Sequence, residues 1–199
     1  DSAIIPNSPD FNFDTGDTFT VAAWVKAPLH QIDLTAPQNM IIEKWDGPGG
    51  YPFVVRIYNE RDDREGRIIA ARYDGSTGAS VISQTRINDG RWHHIAFVRD
   101  SGGTLRLYID GVEEDAAPDT TVNTTANASD LYIGERGTRG LYFAGSVDEV
   151  AIFSDPLDET QVATIAAIGL GNGIGDACSC PGDINGDGVT DVFDFGEFA

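Results

Sequence analysis

Short apolar segments that alternate with polar residues are the feature of this chain that most restricts its fold. They recur between residues 19 and 149 and are divided by glycine, asparagine and aspartate. The first segment places Phe19, Val21 and Ala23 at every second position, the spacing of side chains on one face of a strand. We therefore predict an all-β chain of two packed antiparallel sheets. The other strands are predicted at residues 40–44, 53–58, 67–73, 92–99, 104–109, 130–133 and 146–153.

A tight turn is predicted at Asp110 and Gly111. The apolar residues before it end at Ile109, and they resume at Val112. This dipeptide favours the positive φ angles of a two-residue turn. We therefore predict a β-hairpin with Asp110 and Gly111 at its tip.

One helix is predicted, over residues 159–168. Asp158 can cap its first turn, and Gln161 can complete a capping box. Val162 would lie on its buried face, and Gly169 is suited to end the helix. The predicted fold class is thus an all-β sandwich with one short C-terminal helix and an acidic tail.

The chain of 199 residues is strongly acidic, with 13 basic residues, 32 acidic residues and a formal net charge of −19. Such a charge opposes binding to nucleic acid phosphates and to anionic membrane surfaces. No apolar run is long enough to span a membrane. We predict neither nucleic acid binding nor membrane insertion, which leaves cations and neutral molecules as partners.

Arginines are concentrated in one stretch, with five of them between Arg56 and Arg72. That region could attract the acidic end of another molecule. A mixed-charge surface is an equal alternative, because Glu60, Asp62 and Glu65 are interleaved with the arginines.

The acidic tail has the spacing of a calcium-binding loop. A hard cation takes oxygen ligands at alternating loop positions, with a glycine at the sixth for the sharp turn, here Gly188. The last ligand position holds an aspartate in place of the usual glutamate, which weakens bidentate binding. The alternative is a solvated acidic tail. The predicted Ca²⁺ ligands are Asp183, Asn185, Asp187, Val189 (through its carbonyl), Asp191 and Asp194.

Domain limits follow from these signals. Residues 1–169 form the predicted sandwich, residues 170–182 a glycine-rich linker, and residues 183–199 the calcium loop and tail. Cys178 and Cys180 in the linker could be free, bridged to each other or linked to another chain. As a pair they lack the ligands for a zinc site.

Two sequons begin at Asn123 and Asn127, in a loop rich in threonine and alanine. Both asparagines are candidates for glycosylation in a secreted protein. An unmodified exposed loop is the alternative.

Several segments, in this order and spacing, resemble the laminin G-like branch of the concanavalin A-like jelly rolls. The resemblance covers roughly residues 1–169 and implies a two-sheet jelly-roll sandwich, an architecture shared by lectins, adhesion modules and glycosidases. The segments are residues 19–26 (Phe-Thr-Val-Ala-Ala-Trp-Val-Lys), 42–47 (Ile-Glu-Lys-Trp-Asp-Gly), 90–98 (Gly-Arg-Trp-His-His-Ile-Ala-Phe-Val), 107–111 (Leu-Tyr-Ile-Asp-Gly) and 145–150 (Gly-Ser-Val-Asp-Glu-Val).

The resemblance also implies a second metal site and a missing strand. The position of Asp148 in that family often helps to hold calcium beside an acidic residue at the position of Asp1; a strand-end aspartate is the alternative. Family members usually begin with a strand ahead of the segment matched by residues 1–6. Here a neighbouring subunit would supply it, or trimming has removed it.

The tail, over residues 182–195, resembles one repeat of a type I dockerin. Dockerins normally carry two repeats, which puts docking to a cohesin in doubt. The apolar residues that follow the loop would need to be buried if the tail is ordered.

Catalysis is not expected. A glycosidase needs two carboxylates about 5 to 9.5 Å apart across a cleft, whereas Asp148 and Glu149 are neighbours and would point to opposite faces. His93 and His94 are predicted to have structural roles. Trp45, in a glycine-rich loop, is the candidate for ligand contact.

Two functions remain. The first is an extracellular or cell-surface structural module, stiffened by Ca²⁺, in which identical subunits assemble head to tail into a fibre through the tail. The alternative is a carbohydrate-binding or adhesion module of a larger secreted protein.

Overall fold

The computed structural model describes residues 2–45, 47–60, 62–136 and 140–171. Eleven strands, one α-helix and two 3-10 helices of three residues each, Pro9–Phe11 and Gly47–Gly49, are found there. The strands are β1 (Ala3–Ile5), β2 (Phe19–Lys26), β3 (Gln38–Glu43), β4 (Tyr51–Tyr58), β5 (Arg67–Tyr73), β6 (Gly78–Arg86), β7 (Trp92–Arg99), β8 (Thr104–Ile109), β9 (Val112–Pro118), β10 (Leu131–Ile133) and β11 (Ser146–Phe153), and the helix is α1 (Glu159–Gly171).

The strands form two antiparallel sheets. One has six strands in the order β1-β10-β3-β4-β5-β6, and the other has five in the order β11-β2-β7-β8-β9. The two-sheet sandwich with one C-terminal helix confirms the predicted fold class. All eight predicted strand segments are present, with ends that differ by at most two residues. The sequence reasoning implied β9 only as the second strand of the predicted hairpin, without a range, and it missed β1 and β6.

Large apolar side chains fill the space between the sheets. Phe19 of β2 is central, because its ring contacts Phe97 at 5.4 Å, Phe53 at 6.0 Å and Phe13 at 5.2 Å between centroids. All four side chains are buried. Burial of each phenylalanine is worth about 1.5–3 kcal/mol, so this cluster is a main source of stability.

Two bulges change which residues face the core. In β3 the register shifts between Met40 and Ile42, and in β11 it shifts between Asp148 and Ala151. At the second bulge Glu149 has a φ of 49°. Both core strands therefore depart from strict alternation, which a periodic pattern cannot predict.

The hairpin and the start of the helix are as predicted. Asp110 and Gly111 have φ angles of 52° and 82° and join β8 to β9. At the helix, the backbone N–H of Asp158 donates to Gln161 Oε1 at 2.9 Å, and the N–H of Gln161 donates to Asp158 Oδ1 at 2.8 Å. This reciprocal pair is the capping box.

The predicted end of the helix, at residue 168, is wrong by three residues. We expected Gly169 to end it, but α1 continues to Gly171. A glycine inside a helix is tolerated at a modest cost, so a single glycine does not fix the terminus. The first two residues assigned to the linker therefore belong to the helix.

A second apolar cluster lies on the outer face of the five-stranded sheet. Leu157 and Val162, before and within α1, pack there against Ala22 of β2 and Val98 of β7. Helix α1 therefore covers this sheet face. Among the described residues, no helix has the length and apolar character needed to cross a membrane.

Candidate functional site

The outer face of the six-stranded sheet carries a group of charged and aromatic residues. Glu43 follows the core residue Ile42 in β3, and Arg56 lies between two core residues of β4, so both side chains point away from the core. Arg136 reaches this face from the loop after β10. We call Glu43, Arg56, Arg136, Tyr51 and Trp45 the outer-face cluster.

Glu43 is held by both arginines. Its Oε1 accepts from Arg136 Nε at 2.7 Å, and its Oε2 accepts from Arg56 Nε at 2.9 Å and from Arg136 Nη2 at 3.2 Å. The Glu43 side chain is 0% exposed, whereas those of Arg56 and Arg136 are 13% and 15% exposed. The carboxylate therefore fixes two guanidinium groups that still reach the surface.

Aromatic rings flank the ion pairs. The Arg136 guanidinium lies over the Trp45 ring at 4.4 Å, and that of Arg56 lies over the Tyr51 ring at 5.7 Å. Tyr51 also contacts Tyr73 of β5, with ring centroids 5.8 Å apart. All three rings are partly exposed. The cluster therefore presents flat apolar surfaces beside charged hydrogen-bond donors.

Burial is the main cause of the pKa shifts within the cluster. Burial lowers the pKa of Arg56; Glu43 opposes that shift, and Arg136 adds to it by repulsion. Burial raises the pKa of the Tyr51 hydroxyl. One carboxylate stands against two guanidinium groups here, in a chain whose net charge is −19.

Lys44 anchors the loop that bears Trp45. Its Nζ donates to Asn7 Oδ1 at 2.7 Å, to the Ser129 carbonyl at 2.6 Å and to Asn127 Oδ1 at 3.2 Å. Ser129 Oγ in turn donates to the Trp45 carbonyl at 2.8 Å. The buried ammonium group therefore ties three loops together next to the cluster, which holds the Trp45 backbone in place.

Gly50 allows this loop to approach β5. Its φ is 109°, and a Cβ atom there would lie 2.9 Å from the carbonyl oxygen of Tyr73. Only glycine fits both the conformation and the space. The close approach brings Tyr51 beside Tyr73.

Of the predicted site residues, only Trp45 belongs to this cluster. Asp148 lies on the five-stranded sheet, where it is buried and its Oδ1 accepts from the Glu149 N–H at 2.8 Å. No group of three or more histidine, cysteine or acidic residues in the described ranges is placed to hold a metal. Both metal sites stay predictions. Outside the described residues lie Asp1, Cys178, Cys180, Asp183, Asn185, Asp187, Val189, Asp191 and Asp194.

The two sequon asparagines have different surroundings. Asn123 is exposed, and its Nδ2 donates to Ser76 Oγ at 3.0 Å. Asn127 is partly buried, and its Nδ2 donates to the carbonyls of Lys44 and Gly50 at 3.2 and 3.1 Å. A glycan on Asn127 would replace a hydrogen on that nitrogen, so Asn123 is the more accessible site.

The histidines of β7 lie on opposite sides of their strand, as alternation predicts. His93 is held between Asp110 Oδ2 at 2.8 Å and Asp89 Oδ1 at 3.2 Å, and the hydrogen bond that its ring donates to Asp110 is the main reason its pKa is raised. His94 is 1% exposed and packs edge-on against Trp24, and burial lowers its pKa to about 4.

The arginine-rich stretch is largely used inside the molecule. Arg64 lies over the Tyr58 ring at 4.8 Å and pairs with Asp62. Arg72 is buried, with its Nε 3.3 Å from Asp119 Oδ2. Arg56 is the member of this stretch that joins the outer-face cluster, and a binding role for the rest of the stretch stays a prediction.

Sequence reasoning did not assign Glu43, Arg56, Tyr51 or Arg136 to a site. One signal was available, because Arg56 is a charged residue in the otherwise apolar run of β4. A charge in such a run indicates an outward position with a partner. Its partner Glu43 is 13 residues away, and Arg136 is 93 residues from Glu43.

The arrangement suits binding better than hydrolysis. Both oxygens of Glu43 accept hydrogen bonds from guanidinium groups, and neither is directed at an open position where a ligand would need a proton donor or acceptor. A glycosidase uses two carboxylates on either side of the bond that breaks. The outer-face cluster contains one.

Comparison with protein families gives one match over most of the chain. The family model Laminin_G_3, described as the concanavalin A-like lectin/glucanases superfamily, matches residues 2–163. The matched range contains every strand of both sheets and the first turn of α1.

Individual proteins resemble the chain more distantly. It is 25% identical over 124 residues to the Sushi, von Willebrand factor type A, EGF and pentraxin domain-containing protein 1 of Mus musculus, a match that covers 55% of this chain and 4% of that protein. The chain therefore spans a small part of this relative.

Two solved structures show the same fold. The binding domain of Paraclostridial Mosquitocidal Protein 1 superposes with a TM-score of 0.67 at 17% identity, over 83% of this chain and 40% of that one. A candidate carbohydrate binding protein from Bacteroides ovatus gives 0.62 at 20% identity, over 82% and 44%. At these identities the likeness shows the fold alone.

Proposed function

Because the chain belongs to the Laminin_G_3 family of the concanavalin A-like lectin/glucanases superfamily, we propose that it is a non-catalytic carbohydrate-binding module. The sugar would lie on the outer face of the six-stranded sheet. The observation that carries this proposal is the outer-face cluster, in which aromatic rings stand beside guanidinium groups fixed by one carboxylate. The likeness to the Bacteroides ovatus candidate carbohydrate binding protein supports the same function.

The chemistry of the cluster matches that of a sugar ring. One side of a pyranose is lined with C–H groups, which pack against the flat face of an aromatic ring. The hydroxyls at its edge are hydrogen-bond donors and acceptors. Trp45 and Tyr51 would contact the ring, while Arg56 and Arg136 would donate to the hydroxyl oxygens.

Preorganisation favours this use. Long side chains lose conformational freedom when they bind a ligand, which costs about 0.5–1.5 kcal/mol for each one. Glu43 already fixes both arginines, and each guanidinium lies over an aromatic ring. Part of the ordering cost is therefore met when the protein folds.

A matched pair of tryptophan variants tests the proposal. We expect Trp45→Ala to weaken binding to the best ligand of a glycan array by at least about tenfold, because a stacked ring is lost. Trp92→Ala removes a partly exposed tryptophan of the five-stranded sheet and should leave affinity unchanged. Isothermal titration calorimetry measures both, with thermal unfolding as the check on folding.

Two experimental results would contradict the proposed function. If the wild-type protein binds nothing on a broad array, with and without added calcium, carbohydrate binding is wrong. If Trp45→Ala and Trp92→Ala lower affinity equally, the sugar does not lie on the outer face of the six-stranded sheet.

Calcium binding by the tail, an extracellular location and head-to-tail assembly of identical subunits stay predictions, because they depend on residues 183–199. Native molecular mass measured with calcium and with a chelator tests assembly. A species that remains monomeric in calcium would contradict it.

A further inference from the structure

We propose that the sugar recognised by the outer-face cluster carries a carboxylate, as a uronic or sialic acid does. This inference rests on the proposed function and adds the chemical class of the ligand. Arg136 would make the main contact with the carboxylate, and Arg56 would support it. Three features of the cluster favour such a ligand: its local charge, the unused donor of Arg136 and the fixed positions of both guanidinium groups.

The local charge favours an anion. Two guanidinium groups share Glu43, so the cluster holds an excess of one positive charge. After burial, the charged groups that most affect the pKa of the Tyr51 hydroxyl are Arg56, Glu43 and Arg136, in that order. Asp130 and Glu135 act instead on Tyr132 of β10, which pairs with Glu43 at the β3 edge of the cluster.

Arg136 keeps a donor for a ligand. Its Nε donates to Glu43, and its Nη2 donates to Glu43 Oε2 and contacts Met40 Sδ at 3.4 Å. Among the residues that the structure describes, none accepts from its Nη1. A guanidinium group presents five N–H donors in a rigid plane, and a carboxylate is the acceptor that matches this geometry.

Arg56 would support the contact from the other side of Glu43. Its Nη1 donates to Gln38 Oε1 at 3.4 Å, a long hydrogen bond that a charged ligand would readily replace. Burial is the main cause that lowers the pKa of Arg56; Glu43 opposes the shift, and repulsion from Arg136 adds to it. A second carboxylate in the cluster would relieve this repulsion, which a neutral sugar cannot do.

The position of Arg136 beside Trp45 separates the two parts of the ligand. The guanidinium carbon of Arg136 lies 4.4 Å from the centre of the Trp45 ring, so the two groups are in contact. A sugar ring packed beside Trp45 would therefore bring its ring substituents within reach of Arg136. An exocyclic carboxylate on that ring is the substituent with the most favourable interaction there.

The test uses pairs of oligosaccharides that differ only in the acid group. Suitable probes are trigalacturonic acid with its carboxyl-reduced counterpart, a glucuronic acid oligosaccharide with its reduced form, and sialyllactose with lactose. We expect the acidic member of at least one pair to bind at least about tenfold more tightly by calorimetry at low salt. The preference should shrink as salt is raised, because the contact is partly exposed.

Variants assign the preference to the cluster. Arg136→Gln should abolish the difference between acidic and neutral sugars, while Arg136→Lys should retain part of it. Arg91→Gln is the control, because Arg91 is 83% exposed at the start of β7 and away from the cluster. Thermal unfolding of each variant confirms that the fold is retained. The salt dependence of the wild-type protein tests, without any substitution, whether the preference is ionic.

The outcomes separate this inference from the proposed function. If neutral and acidic members of every pair bind equally, and binding is lost in Trp45→Ala, the module binds sugars but the acid preference is wrong. If no oligosaccharide binds to the wild-type protein, carbohydrate binding itself is wrong. An acid preference that survives in Arg136→Gln would place the anion elsewhere and overturn the inference.

Discussion

The two outer faces of this sandwich differ in the residues they carry and in whether another element covers them. On the five-stranded sheet, apolar side chains of β2, β7 and β8 are covered by α1 and by Leu157 just before it. On the six-stranded sheet, the corresponding positions of β3 and β4 hold Glu43 and Arg56, with Arg136 placed over them from a loop. The outer face of the five-stranded sheet is thus covered by the helix, whereas that of the six-stranded sheet carries charged side chains and partly exposed aromatic rings.

The difference indicates where a ligand is expected. A face covered by its own helix has already made its contacts, and a ligand would have to displace α1 to reach it. A charged cluster on a sheet costs desolvation energy and adds little stability compared with an apolar surface. Its presence on the six-stranded sheet is therefore better explained by recognition than by folding.

The largest expected effect comes from breaking the cluster. Glu43→Gln leaves two guanidinium groups facing each other without their shared carboxylate, and we expect the free energy of unfolding to fall by about 3–4 kcal/mol. Urea denaturation measures it. Glu113→Gln is the matched control, because Glu113 pairs with Arg106 at the surface, where such pairs contribute about 0–1 kcal/mol. Equal losses in the two variants would mean that the cluster is no more than a surface ion pair.

The covered face should respond to acid. The pKa of His94 is about 4 in the fold against 6.5 for an ordinary histidine, because burial opposes the charged ring. The unfolded chain therefore takes up the proton first, and stability is lost as pH falls from about 6.5 to about 4. At 1.36 kcal/mol for each pKa unit, the loss is about 3 kcal/mol.

His94→Leu isolates this contribution. Urea denaturation measures the free energy of unfolding of the wild type and of the variant at pH 7 and at pH 4. Between these pH values it should fall further in the wild type than in the variant. Its neighbour His93 has a raised pKa, so protonation of His93 should stabilise the fold as the pH falls. The stability of His93→Gln should therefore be more sensitive to acid than that of the wild type. A wild type and His94→Leu with the same pH dependence would show that the buried ring does not titrate in this range.

The smallest of these effects concerns the helix. Val162 of α1 is fully buried against the five-stranded sheet, and Val162→Ala should lower the free energy of unfolding by about 2 kcal/mol. Glycan binding should be unchanged, because the helix lies on the opposite face. Ala167→Ser at an exposed position of the same helix is the control. Loss of binding in Val162→Ala with the fold intact would mean that the two faces are coupled.

Local sequence signals predicted most of the helices and strands, and there are physical reasons why they missed the others. Asp110 and Gly111 specify a turn through their own backbone preferences, and Asp158 with Gln161 specify a helix start through two hydrogen bonds. β6 was missed because only part of its length faces the core and its exposed positions carry serine and glutamine. β1 was missed because three residues are too few to show a period.

The tryptophans show how far residue type predicts burial. Trp24 is fully buried, but it lies on the outer face of β2 beside His94, away from the inter-sheet core. Trp92, in the neighbouring strand β7, is only partly buried. An alternating pattern predicts which residues share one face of a strand. It does not predict burial, because the element that covers that face comes from elsewhere in the chain.

The sequence by itself determined the all-β sandwich, its hairpin, its capped helix and its membership of a jelly-roll family, because these depend on period, turn chemistry and residues close together in the chain. Only the tertiary structure decided that Glu43, Arg56 and Arg136 meet, since Arg136 and Glu43 are 93 residues apart. Their contact depends on strand order and on the path of the loop after β10. No local pattern encodes either of these, and so the candidate binding face emerged only from the folded chain.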